Sequence, residues 1–258
     1  MYPILFHFGP ITIRSYGAIV AIAVLVAWLL ARRESKRNGI SPVLIDDFLT
    51  WGILFGLAGA RIDYVLFSDL TSFLRNPFEI IAIWHGGLAI QGAVIGGLVG
   101  ALWFCRRRNL SFWKLADTLA PALIIGQAIG RIACLLNGDA YGKPTDLPWA
   151  ITFTNPDSLA PKGIPLHPTQ LYEFAWDLIV FALLLLLRRR SRREGTLFLW
   201  YAGLYSLGRF VIEPFRWDQL TYRLGPHSLS TAMTLSALAI MGVFFIGFLL
   251  RSRQVRST

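Results

Sequence analysis

Apolar residues fall in blocks of membrane-spanning length along the whole chain, separated by short segments rich in Arg and Lys. A run of roughly 18 or more mostly apolar residues reads as a helix that crosses a bilayer. Seven such spans are predicted, at about 15–31, 46–67, 80–104, 115–136, 169–187, 195–214 and 228–250. No soluble domain, low-complexity linker or internal repeat interrupts them. The expected fold is all-α and polytopic, with residues 1–258 forming a single integral membrane domain. The longest polar stretch, 137–167, carries Pro144, Pro148, Pro156, Pro161 and Pro165. Trp149, Ile151 and Phe153 alternate with smaller residues, which predicts a short strand. A loop of this length is usually functional, and it is expected to cap one end of the bundle.

Composition agrees with the pattern. A mean hydropathy of +0.53 is too high for an ordinary soluble domain. The net charge of +10 suggests nucleic acid until its distribution is read. Arg32, Arg33, Lys36 and Arg37 follow span one, and Arg106, Arg107, Arg108 and Lys114 separate spans three and four. Arg188, Arg189, Arg190, Arg192 and Arg193 separate spans five and six, while Arg251, Arg253 and Arg256 follow span seven. Sixteen of the 25 basic residues therefore occupy alternate loops. The positive-inside rule predicts the N-terminus outside and the C-terminus in the cytoplasm. The charge is a topology signal and an anchor for anionic membrane lipids, and no nucleic-acid partner is expected. No Lys or Arg precedes Arg14, unlike the basic start of a cleavable signal peptide.

Cys105 and Cys134 are expected at opposite membrane faces, which excludes a disulfide between them. Four scattered histidines give no metal-ligand spacing. Neither a metal nor a cofactor is expected.

The informative residues are Arg61, Arg131 and Arg209, each inside a predicted span. A guanidinium stays protonated, and a charge at the bilayer centre costs about 2.5–3.5 kcal/mol on insertion scales. Counted from the cytoplasmic span ends, each lies roughly 21–24 Å up at 1.5 Å per residue. Tyr16, His85 and Gln91 fall near the same outer level, and His167 ends the long loop. Three arginines at one depth favour a shared anionic ligand. The local alternative is structural pairing, Arg61 with Asp63 and Arg209 with Glu213, while Arg131 has only Asn137 and Asp139 close in sequence. Gly92, Gly96 and Gly100 read as a close helix-packing face. His85-Gly86-Gly87 weakens a helix start and predicts a broken or re-entrant entry to span three.

The segment from Gly130-Arg131-Ile132-Ala133-Cys134 through Asn137-Gly138-Asp139-Ala140-Tyr141-Gly142 resembles the signature of bacterial prolipoprotein diacylglyceryl transferases. Five further pieces extend the resemblance in order: Arg14-Ser15-Tyr16-Gly17, Gly59-Ala60-Arg61-Ile62, the His85-Gly86-Gly87 segment through Gly92, His167-Pro168-Thr169-Gln170-Leu171-Tyr172-Glu173 and Gly208-Arg209-Phe210-Val211-Ile212-Glu213-Pro214-Phe215-Arg216. The resemblance implies transfer of diacylglyceryl from phosphatidylglycerol to the lipobox cysteine in a prolipoprotein signal peptide. It places the enzyme in the bacterial plasma membrane with its site facing the outer leaflet. Arg131 and Arg209 are the leading catalytic candidates, with His85 and Gln91. Candidate substrate-binding residues are Tyr16, Arg61, Asn137, Gly142, His167, Tyr205, Glu213 and Arg216. Three positions depart from the family pattern: Gln91 stands for its usual histidine, Cys134 for asparagine and Asp139 for glutamate. Glutamine cannot act as a base, and His85 is the nearest imidazole in sequence. A divergent member with another acceptor, a non-catalytic binder of anionic lipid, and an anion channel are the alternatives. A channel would spread its charges along a path, whereas these gather at one level.

Overall fold

The computed structural model describes residues 1–8, 11–68, 73, 75–190, 193–217, 221–224 and 227–255. Arg192 and Arg256, counted above in the loop charge, lie outside the described residues. The described residues form seven α-helices: α1 (Ser15–Arg37), α2 (Pro42–Phe67), α3 (Ile90–Arg108), α4 (Phe112–Asn137), α5 (Thr169–Leu187), α6 (Thr196–Ile212) and α7 (Thr231–Val255). By length and apolarity α1, α2, α4 and α5 suffice to cross a membrane, and among the described residues Thr231–Val243 of α7 forms a shorter apolar helix. Large apolar side chains such as Val94 and Ile95 on α3 and Ile179 and Leu186 on α5 point outward. Such a surface is stable against lipid rather than water. The protein is an all-α polytopic membrane protein.

The chain divides into two compact units. Met1–Leu30 with Leu119–Thr258 form one, and Ala31–Thr118 form the other. In the second, α2 and α3 pack backbone to backbone: a Cβ on Gly59 would meet the Gly92 carbonyl, and one on Gly96 would meet the Phe55 carbonyl. The glycine stripe is thus a packing face, as its spacing predicts. The entry to span three is broken, with 3₁₀ turns at Pro77–Ile80 and Ile83–His85 and irregular chain over 86–89. The helix therefore begins at Ile90, ten residues later than hydropathy alone indicates. Gly86 and Gly87 supply φ of +88° and +79°, which other residues rarely adopt.

In the first unit Ala120, Ile124, Val180, Leu184 and Leu197 bind α4, α5 and α6 into one core. The described residues also form three two-stranded sheets: β1 (Ile4–Phe8) with β2 (Ile11–Arg14) before α1, β3 (Ile151–Thr152) with β4 (Pro165–Leu166) between α4 and α5, and β5 (Thr221–Leu224) with β6 (His227–Ser230) between α6 and α7. The strand expected at Trp149–Phe153 is β3. Phe153, Ala160 and Leu166 give the long loop a small core of its own. Residues 227–230 are strand, so α7 starts three residues later than the predicted seventh span.

Candidate active site

The loop-side ends of α4, α5 and α6 each contribute charge. Arg131 lies six residues, or about 9 Å, before the end of α4. Glu173 is in the second turn of α5, about 6 Å from its start, and Arg209 is in the last turn of α6. These depths match, and the side chains meet. Arg131 Nε lies 2.5 Å from Glu173 Oε2, and Arg209 Nη1 pairs with Glu173 Oε1. Arg216, just past a 3₁₀ turn at Glu213–Phe215, adds Nη1 at 3.2 Å from the same Oε1. Arg209 also holds Glu213 Oε2 at 2.8 Å, and Ser230 donates a 2.6 Å hydrogen bond to Glu213 Oε1.

Two glutamates against three arginines leave one positive charge in surplus. Glu173 and Glu213 are buried, with side chains 5% and 1% exposed, whereas Arg131 and Arg209 keep 18% and 19%. The buried carboxylates aim the arginines, and the arginine edges remain open to an incoming anion. The sequence reading paired Arg131 only with Asn137 or Asp139. Instead Asn137 donates to Asp139 Oδ1 at 2.9 Å, and the partner of Arg131 comes from another helix. The i,i+4 pair of Arg209 with Glu213 is present as the spacing suggests.

Arg61, in the other unit, is used differently. Its Nε donates to the Ile80 carbonyl at 3.0 Å, and Nη1 donates to those of Gly86 at 2.5 Å and Gly87 at 2.8 Å. Nη2 donates to the carbonyls of Glu79 and Ala82. A guanidinium has five N–H groups, and all five are spent on backbone carbonyls of the broken segment before α3. Asp63 does not pair with Arg61; its Oδ2 accepts the Gly92 N–H at 2.8 Å, in the first turn of α3.

Residues 3–249 match the family model described as prolipoprotein diacylglyceryl transferase. The chain belongs to the prolipoprotein diacylglyceryl transferase family. A phosphatidylglycerol–prolipoprotein diacylglyceryl transferase of Nostoc sp. is 44% identical, the match covering 92% of this chain and 86% of the relative. Those of Listeria monocytogenes and Thermosynechococcus vestitus are 39% and 41% identical, over 97% and 90% of this chain and 90% and 87% of theirs.

The remaining candidates in this transferase fall into two groups. Tyr16, Asn137, Gly142, His167, Tyr205, Glu213 and Arg216 share the unit of Arg131 and Arg209, while His85, Gln91 and Arg61 belong to the other. Tyr16 is within electrostatic range of Arg131 and Asp139, and Tyr205 of Arg131. Gly142 is a close-approach position. Its N–H donates to the His167 carbonyl at 3.2 Å, and a Cβ there would strike His167 and the Phe215 carbonyl. That squeeze ties the loop to the turn bearing Arg216. His167 packs at a tilt of 60° against Phe215, centroids 5.3 Å apart, and its Nδ1 lies 3.3 Å from the Tyr172 hydroxyl. His85 is exposed, its Nδ1 2.9 Å from Glu79 Oε2, and Gln91 is exposed in the first turn of α3. Both cysteines are free.

Glu173 closes the His167–Glu173 motif, and its sequence neighbourhood alone assigns it no role. The available signal was its depth: a carboxylate one turn into a span, level with two arginines that needed a partner.

Proposed function

We propose that this chain transfers the diacylglyceryl group of phosphatidylglycerol to the lipobox cysteine thiol of prolipoproteins. The observation that carries the reading is the convergence of Arg131, Arg209 and Arg216 on Glu173 at one end of α4–α6, with two of the arginines partly open. The thiol sulfur attacks the glycerol carbon that bears the phosphate. A C–S bond forms, the C–O bond breaks, and its electron pair leaves on glycerol phosphate. Negative charge therefore grows on the phosphate oxygens, where a planar, permanently charged, bidentate donor is most effective. Arg131 and Arg209 grip the phosphate, with Glu173 and Glu213 holding Arg209 in place and Arg216 bracing both carboxylates. Tyr16, Asn137 and Tyr205 line the approach of substrate, and Gly142 and His167 shape the loop beside it. Arg61 supports the broken segment before α3.

In this account the chain is one membrane domain in the bacterial plasma membrane, with the N-terminus outside and the C-terminus in the cytoplasm. The 137–167 loop caps the outer face and the site opens to the outer leaflet. The alternating basic loops support that orientation. The test is to incubate the purified protein with phosphatidylglycerol and a lipobox peptide and to weigh the peptide. A mass gain of one diacylglyceryl group is expected only when the cysteine is present. An unchanged peptide with lipid and protein intact overturns the reading.

A further inference from the structure

The transfer leaves one proton to be placed. A free thiol has a pKa of about 8.5, so at neutral pH the S–H bond must be broken. The family position for a histidine holds Gln91, which accepts no proton. Asp177 is a second carboxylate on α5, four residues beyond Glu173 and hence on the same face one turn deeper. It is 2% exposed, and its Oδ2 has no hydrogen-bond partner among the described residues. Burying an ionisable group unpartnered inside a membrane helix is costly, and such a residue usually marks function. Packing does not require it, since Val180 and Leu184 already fill the α4–α6 core.

Its surroundings suit proton uptake. Asp177 lines one narrow cleft with Glu173, Tyr205, Gly208 and Arg209, so it opens beside an arginine of the phosphate clamp. The charged and titratable groups that face it are Glu173 on α5, Arg131 on α4, and Tyr201, Tyr205 and Arg209 on α6. Glu173 is committed to three arginines, which leaves Asp177 as the carboxylate in the cleft able to receive a proton. We propose that Asp177 is the acceptor of the substrate thiol proton.

The charges then balance through the step. With Asp177 ionised the cluster of three arginines and three carboxylates is neutral and faces a phosphodiester of charge −1. As sulfur bonds to carbon and the phosphate leaves as a dianion, Asp177 Oδ2 gains the proton and the cluster becomes +1. The proton thus arrives beside the group whose negative charge has grown.

The inference rests on the transferase reading, and the experiment separates the two. Transfer rates from phosphatidylglycerol to a lipobox peptide are measured from pH 6 to 9 for the wild type, D177N, D177S and D177E, with lipid binding measured on the same samples. Without the acceptor the rate follows the thiolate fraction, rising about tenfold per pH unit below about pH 8. D177N and D177S should show that slope and lose at least about tenfold of the wild-type rate at pH 7, with lipid binding retained. D177E should restore the shallower wild-type profile. Slopes equal to wild type in both D177N and D177S, or the steep slope in H85Q instead, overturn the assignment of Asp177. A wild type that forms no thioether at any pH overturns the transferase reading itself.

Discussion

Glu173 Oε2 and Arg131 Nε lie 2.5 Å apart, joining two helices at a depth where neither charge could remain alone. The pair explains how a chain tolerates arginine in a span, and why the pairing is incomplete. Glu173 is shared by three guanidinium groups, so none of them is neutralised by it outright. The shared carboxylate sets the spacing of Arg131 and Arg209 before lipid arrives.

Removing that spacer should separate binding from turnover. Glu173→Gln raises the surplus of the arginine–glutamate cluster from one positive charge to two, and it frees the arginines from their common anchor. Phosphatidylglycerol binding should hold or tighten while kcat falls at least about tenfold, as expected when positioning is lost. Steady-state kinetics with lipid-binding measurements check this. An unchanged kcat would show that Glu173 is a bystander.

Arg61→Lys should damage structure rather than substrate affinity. Lysine offers three donors to replace five, so at least two carbonyls of the broken segment before α3 lose their partner. The loss should be at least about 2 kcal/mol in stability, with faster hydrogen exchange over 77–87. Wild-type stability with a raised KM for lipid would return Arg61 to the substrate site.

The α2–α3 contact predicts a contrast between two glycines on one helix. A Cβ on Gly92 would meet the Gly59 carbonyl and Asp63 Cβ, whereas one on Gly97 meets nothing within 4 Å. Gly92→Ala should destabilise by about 1–3 kcal/mol, the usual cost of overpacking. Gly97→Ala should be neutral or slightly stabilising, since alanine is the better helix former. Thermal unfolding of both variants in detergent is the check, and equal melting temperatures would contradict the packing.

Much of this architecture is legible in the sequence, because the bilayer imposes it. Apolar length located all seven helices, and Gly92, Gly96 and Gly100 announced their packing face by spacing alone. Departures occur where hydropathy cannot see backbone geometry. Residues 80–89 are apolar enough to extend span three, yet Gly86 and Gly87 at positive φ hold them out of the helix. The site divides in the same way. Arg209 with Glu213 is a local i,i+4 pair and was readable. The partners of Arg131 and Arg61 are a carboxylate on another helix and a set of backbone carbonyls, and long-range partners leave no periodic trace.

Orientation is open to a direct test. A reporter active only in the cytoplasm, fused after Thr258, should be active, and one active only outside the cytoplasm should be silent. The reverse pattern would place the Arg131–Arg209 end of the bundle on the cytoplasmic side.

The central claim is that Arg131 and Arg209 hold the phosphate through bidentate geometry and not through charge alone. Its most direct measurement is single-turnover transfer from phosphatidylglycerol by Arg131→Lys and Arg209→Lys in lipid nanodiscs, beside the wild type. Lysine keeps the charge and loses the fork. Each variant should insert and bind Glu173 well enough to fold, while transfer falls about 10²-fold or more, the scale of one lost donor at a developing anion. Wild-type turnover in both lysine variants would contradict the account.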